Sequence, residues 1–275
     1  GTVYVSSLAN ANQPKGNLGG VTTKSSLFVI ENGAELRTTA AVTNGSLVLF
    51  DGEEGGIITN TADYVVDKAM GGTMLTKKGQ GTMKFNVSCT GLQRLAIQVG
   101  TVQCVNCPTP AKTVEFRGGT LNENAGTSYN IEVADGKTGT WNLVNDATYT
   151  NKITGTGTLT VSCPVRTGGS GDSKWYATRT HVSVNLSNFE GTFKPISNGD
   201  ATGRFTFDTS TGMPKGTMNI AAAVEVQNSG KTYTIGRVTG SGKLGGSCTF
   251  SNGTSVGANT WQVGNDDNWS TSTRI

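Results

Sequence analysis

The sequence predicts an all-β protein, a single-stranded parallel β-helix in which short strands stack turn upon turn. Three observations carry this expectation. Within residues 152–163, strict alternation follows Gly155 and Gly157. Leu159, Val161 and Cys163 face one way and Thr158, Thr160 and Ser162 the other, giving a strand with one apolar and one hydroxylated face. The unit returns twice: Gly79 and Gly81 lead to Met83, Phe85, Val87 and Cys89, and Gly240 and Gly242 lead to Leu244, Gly246 and Cys248. Copies that reach cysteine at one strand parity imply turns that superimpose. Finally, glycine is 39 of 275 residues, while hydrophobic residues are 35% and charged residues 15%. Gly, Thr, Ser and Asn replace the helix formers, and no window carries an apolar stripe at helical spacing.

Taken in order, residues 1–25 are polar and Gly/Asn-rich behind a short apolar start at Val3, Tyr4 and Val5, and are expected to form an edge or cap. Regular strand beats begin at Ser26 and run as one continuous β-helix through 26–275. The beats are Leu27 with Val29, Val42, residues 47–50, Ile57 with Ile58, residues 64–66, and then the first Gly-x-Gly unit. Leu95 with Ile97 and Val99, Val102 with Cys104, Val114 with Phe116, Ile131 with Val133 and Trp141 with Leu143 lead to the second unit. Val182 with Val184 and Leu186, Phe205 with Phe207, Met218 with Ile220, Val224 with Val226 and Tyr233 with Ile235 lead to the third. Trp261 and Val263 close the series, and Trp141 and Trp261 are expected to point inward. Many beats open with Gly-Thr-apolar, as in Gly81-Thr82-Met83, Gly119-Thr120-Leu121, Gly157-Thr158-Leu159, Gly191-Thr192-Phe193 and Gly216-Thr217-Met218.

A coil of roughly 20–29 residues would place glycine and asparagine at corners that need positive φ, and would stack like residues about 4.8 Å apart. The alternative fold is an antiparallel β-sandwich. Asn32-Gly33, Asn44-Gly45, Asn198-Gly199 and Asn252-Gly253 are hairpin-turn dipeptides that favour it. The C-terminus stops in mid-pattern at Ile275, so the natural chain is expected to continue.

Net charge is +3 from 22 basic and 19 acidic residues, scattered without a Lys/Arg stripe. That pattern argues against a nucleic-acid partner. No apolar stretch approaches the roughly 18 residues of a membrane-spanning helix, so no membrane insertion is expected. Cys104-Val105-Asn106-Cys107-Pro108 has three readings: a zinc half-site, a redox pair or local disulfide, or a turn carrying two structural thiols. Zinc needs about four ligands, and the single His181 is distant in sequence. A thioredoxin-type pair needs a helix after the strand, where Pro108 and Pro110 break the chain instead.

The Gly-x-Gly-Thr-Leu-Thr-Val unit, residues 186–193 (Leu-Ser-Asn-Phe-Glu-Gly-Thr-Phe) and residues 261–269 (Trp-Gln-Val-Gly-Asn-Asp-Asp-Asn-Trp) resemble the autotransporter-associated β-strand repeat. That repeat occurs in adhesin-like surface proteins of Gram-negative bacteria and in immunoglobulin A1-protease-like passenger regions. The resemblance spans about residues 71–269. It implies a right-handed parallel β-helix, secreted or displayed on the outer cell surface, and carries over no catalytic residues. The five cysteines depart from the family habit.

The sequence offers no catalytic set, metal site or cofactor site. Asp266 and Asp267 are adjacent, so on a strand they point to opposite faces instead of forming a glycosidase pair. Asp51, Glu53 and Glu54 lie in a Gly-bounded turn and are expected to be solvated. Asp172 with Arg179 is the nearest approach to a lyase site. His181 has no nucleophile beside it. The glycine-rich loop at 164–180 carries Trp175, Tyr176 and Arg179, which could stack on a sugar ring or anchor a protein. The expected function is a non-enzymatic, extracellular, adhesin-like or stalk segment whose partner is a host glycan or an extracellular protein. The competing reading is a carbohydrate-active β-helix enzyme or its carbohydrate-binding accessory module.

Overall fold

The computed structural model describes residues 1–5, 27–144, 147–164, 180–198, 203–207, 212–222, 224–228, 231–245, 248–249, 255–256 and 260–264. Every regular element among them is a β-strand. The chain divides into two compact units. The first comprises Gly1–Asn124, Tyr129–Glu132 and Lys137–Thr140. The second comprises Ala125–Ser128, Val133–Gly136 and Trp141–Ile275.

The first unit opens with β1 (Thr2–Val5), β2 (Leu27–Glu31), β3 (Ala34–Thr38) and β4 (Val42–Asn44). It continues through β5 (Leu47–Asp51), β6 (Gly56–Asn60), β7 (Tyr64–Val66), β8 (Met70–Lys78) and β9 (Thr82–Phe85). Next come β10 (Gly91–Ile97), β11 (Thr101–Cys104), β12 (Thr113–Phe116) and β13 (Thr120–Asn122). One face is the parallel sheet β1-β3-β6-β8-β10-β12 and the other is β4-β7-β9-β11-β13. The chain alternates between the two, so each strand pairs with its counterpart one turn on, about 20 residues later.

Like positions therefore stack. Met83, Val102 and Leu121 form one inward column and Leu75, Leu95 and Val114 another, all fully buried. Each such side chain contributes about 1.5–3 kcal/mol of apolar burial. A narrow bore thus supports a chain with few apolar residues.

Strands β14 (Asn130–Val133) and β15 (Thr138–Asn142) precede β16 (Thr148–Tyr149), β17 (Ile153–Gly155) and β18 (Thr158–Pro164). The second unit continues with β19 (Thr180–Val182), β20 (Thr192–Asn198), β21 (Gly203–Phe207), β22 (Met213–Ile220) and β23 (Val224–Asn228). It closes with β24 (Thr232–Gly240), β25 (Lys243–Leu244), β26 (Cys248–Thr249), β27 (Ser255–Val256) and β28 (Thr260–Val263). Its parallel sheets run β18-β20-β22-β24-β28 and β16-β19-β21-β23-β25. Leu159, Phe193 and Met218 stack inside. An aromatic run packs Phe193 on Phe207 at 6.0 Å, Phe207 on Tyr233 at 4.8 Å and Tyr233 on Trp261 at 5.8 Å between ring centroids.

Both units are parallel β-solenoids, which sets aside the antiparallel sandwich. Asn32-Gly33 does adopt positive φ at both residues, 50° and 71°, the geometry of a hairpin turn. Yet β2 and β3, which flank it, pair with β5 and with β1 and β6. A tight turn reverses a chain only when its flanking strands can bond each other; here it serves as a coil corner. Among the described residues β26 with β27 is the one antiparallel pair.

The Gly-x-Gly units are corners, as their spacing predicts. Gly79, Gly155 and Gly240 have φ of 80°, 106° and 94°. A Cβ on each would strike the carbonyl of Asn60, Val133 or Ile220 respectively. The segments beyond two of these corners differ from expectation. Strand β9 ends at Phe85, so Cys89 lies in the next turn and not on the strand. Cys248 belongs to the antiparallel β26 and not to a continuation of β25. Trp141 is fully buried, whereas Trp261 is half-buried, with its indole N–H donating to the Gly245 carbonyl at 3.0 Å.

Candidate functional site

The loop residues Trp175, Tyr176 and Arg179 lie outside the described residues, as do Asp172, Asp266 and Asp267. His181 stands opposite Thr148 and Thr206 in the register of β16, β19 and β21. Asp51, Glu53 and Glu54 are exposed, as expected of a solvated turn. No group of three or more His, Cys, Asp or Glu able to hold a metal ion occurs among the described residues.

The outward faces repeat as regularly as the core. In the first unit Thr82, Thr101 and Thr120 stand in register on β9, β11 and β13. Lys84, Gln103 and Asn122 form the parallel column beside them. In the second unit Thr158, Thr192 and Thr217 make the corresponding ladder on β18, β20 and β22. All six threonines are half-buried. Each follows a corner glycine, so the Gly-Thr-apolar signature reads as corner, outward hydroxyl and inward side chain. Hydroxyls about 4.8 Å apart along a sheet form a linear array of donors and acceptors.

Across the other face of the first unit runs an ion-pair ladder. Arg94 Nη1 lies 3.0 Å from Glu115 Oε2 and 2.8 Å from Glu132 Oε2, so it bridges successive turns. Arg117 Nε is 2.6 Å from Glu115 Oε1, and its Nη2 is 3.0 Å from Oε2. Burial alone would raise the Glu115 pKa, but hydrogen bonds and charge from Arg117 and Arg94 hold it below the usual carboxylate value. Two guanidinium groups and two carboxylates satisfy one another here.

The chemically distinctive cluster is a thiol corner in the first unit. Cys104 ends β11, Cys107 follows in the turn toward β12, and Cys89 occupies the turn one coil earlier; all three are free and buried. The turns are tied together by Cys89 N–H donating to the Thr109 carbonyl at 2.9 Å. Hydrogen bonding from Cys104 first, then from the Thr109 N–H and the Ser88 hydroxyl, holds the Cys107 pKa below the ordinary thiol value despite burial. Cys104 is driven the other way, first by its bond to Cys107, then by burial and by the nearby Glu123 carboxylate. Glu123 is itself buried and accepts a hydrogen bond from the Tyr129 hydroxyl. Burial pushes the Cys89 thiol up to about 11.

Sequence reasoning marked the Cys-x-x-Cys pair but could not bring in Cys89, Ser88 or Glu123. Cys89 and Ser88 belong to the previous turn, and Glu123 follows β13 in the next. Their only sequence signal is the spacing of about one coil.

Fold and faces together define a parallel β-solenoid with stacked polar ladders outside and an apolar bore within. Comparison with known proteins finds no matching family, no similar curated protein and no similar solved structure.

Proposed function

We propose that this chain is a non-enzymatic scaffold, an extracellular adhesin-like or stalk segment of the autotransporter-associated repeat kind. Its partner is a glycan or extracellular protein engaged through its outward faces. The observation that carries this reading is the in-register threonine ladder, Thr82-Thr101-Thr120, beside Lys84, Gln103 and Asn122. Three hydroxyls at one spacing, beside one ammonium and two amides, suit an extended ligand that is itself repetitive, which a polysaccharide is. We include in this reading Trp175, Tyr176 and Arg179, whose side chains would supply aromatic stacking and a cation.

The test is binding of the full chain to a glycan array and to immobilised matrix proteins. The comparison chains are the Thr82→Val, Thr101→Val, Thr120→Val triple variant and the Trp175→Ala, Tyr176→Ala double variant. Valine keeps the shape and strand preference of threonine while deleting the hydroxyl. Saturable binding by the parent chain, weakened in both variants at unchanged melting temperature, supports the scaffold reading. No binding by the parent chain, or shortening of an offered polysaccharide, rejects it.

A further inference from the structure

We propose that an outward column of the first unit, Arg37, Thr59, Lys78, Gln98 and Arg117, binds a linear acidic polysaccharide that carries one carboxylate per disaccharide. The inference rests on the scaffold reading only in making the partner a glycan. It concerns the sheet β1-β3-β6-β8-β10-β12 and uses no residue of the threonine ladder on the other sheet.

Register builds the column. Arg37 stands opposite Thr59 and Thr59 opposite Lys78, on β3, β6 and β8. Just past the paired strand ends, the Gln98 N–H donates to the Lys77 carbonyl at 3.0 Å and the Arg117 N–H to the Ile97 carbonyl at 2.9 Å. Those bonds carry the same register through two further turns. Each of the five is exposed or half-buried and follows a buried inward residue, in order Leu36, Ile58, Lys77, Ile97 and Phe116. Alternation therefore turns all five outward.

Charge along the column has a period of two turns. Arg37, Lys78 and Arg117 are cations, with neutral Thr59 and Gln98 between them. Strands about 4.8 Å apart place successive cations about 9.6 Å apart in a straight line. One disaccharide of an extended glycan has that length. A nucleic acid carries a phosphate on every nucleotide, so its charges fall at a shorter interval.

Neighbouring side chains set the cations in place. Arg37 Nε lies 2.9 Å from Glu35 Oε1, and Arg117 meets Glu115 through Nε at 2.6 Å and Nη2 at 3.0 Å. Pairing along the Nε edge of a planar guanidinium leaves the Nη1 donors on the edge away from the carboxylate. Lys78 has no ion pair among the described residues, so the middle of the column carries an uncompensated charge. Tyr4 extends the column past Arg37, which lies 5.7 Å from its ring centroid. The Tyr4 side chain is 62% exposed, an aromatic surface for a sugar ring at the end of the strip.

The test is surface plasmon resonance of the full chain on immobilised hyaluronan and unsulfated chondroitin, which both carry one carboxylate per disaccharide, with neutral dextran as the reference surface. Saturable binding that weakens as salt rises is expected. Lys78→Gln should weaken it about tenfold, the loss of one charge-assisted hydrogen bond. Lys112→Gln makes the same charge change at an exposed lysine outside the column and should leave binding unchanged. The Thr82→Val, Thr101→Val, Thr120→Val variant should bind hyaluronan as the parent chain does. The strip is overturned by absence of salt-sensitive binding to both acidic polysaccharides, by equal weakening in the two lysine variants, or by tighter binding to single-stranded DNA. Loss of binding in the threonine variant overturns it as well, by moving the site to the ladder. If the strip fails while the ladder still binds a neutral glycan, the scaffold reading stands.

Discussion

Lys77 Nζ donates a hydrogen bond to the Val99 carbonyl one turn further along, at 3.0 Å. It also donates to Lys78 O at 2.9 Å and Gly79 O at 2.7 Å. The residue occupies the inward column Ile58-Lys77-Ile97-Phe116. Its stem therefore packs among apolar neighbours while its ammonium caps corner carbonyls that no strand N–H reaches. The side chain substitutes for the missing backbone donors of two consecutive corners.

Lys77→Met keeps the stem and removes the donor. It should destabilise the first unit by about 1–3 kcal/mol, the cost of buried acceptors left unpaired, seen as a lower urea midpoint with unchanged slope. A pH effect accompanies it. Burial pushes the Lys77 pKa down to about 8, below the 10.5 of the unfolded chain. Between those values the unfolded chain holds the extra proton, so this group makes stability rise with pH across that window. The methionine variant should lack that contribution.

Glu115 gives the same direction of pH dependence in an acid window. Its folded pKa is depressed by Arg117 and Arg94, so its contribution is present above the ordinary carboxylate pKa and lost as pH falls through the lower folded value. Glu115→Gln should cost about 1–2 kcal/mol at neutral pH, after allowing for solvent screening of the half-exposed arginines. The difference from the parent chain should shrink in acid. A gap that stays constant down to strongly acidic pH would contradict an ion-pair origin.

Two glycines of the second unit separate backbone conformation from crowding. Gly136 has φ of 63° with open space where a Cβ would stand, whereas a Cβ at Gly155, φ 106°, meets the backbone of Val133. Gly136→Ala should cost only the left-handed penalty of about 1–2 kcal/mol. Gly155→Ala should cost clearly more and broaden the thermal transition. Equal costs would mean that corners are not set by close backbone approach.

Trp141 is fully buried and packs edge-on against Tyr149, with centroids 5.2 Å apart. The Tyr149 hydroxyl in turn accepts the Val144 N–H at 2.9 Å. Trp141→Ala should destabilise the second unit by about 3–5 kcal/mol. Calorimetry should find the loss there, and near-ultraviolet dichroism should report the freed tyrosine.

The amino-acid order by itself determined the all-β class, the inward and outward faces of most strands, and the corner role of Gly79, Gly155 and Gly240. These are local properties: alternation belongs to one strand, and positive φ belongs to one residue and its neighbours. Which turns lie over which was decided by tertiary structure, because register depends on where every corner falls along the chain. Register alone laid the Cys89 turn against Thr109, placed Glu115 within reach of Arg94, and brought the Val99 carbonyl to Lys77. Alternation from Leu75 puts Lys77 on the inward face, but nothing within the strand says how a lysine is accommodated there. What accommodates its ammonium is the Val99 carbonyl one turn away together with those of Lys78 and Gly79 beside it.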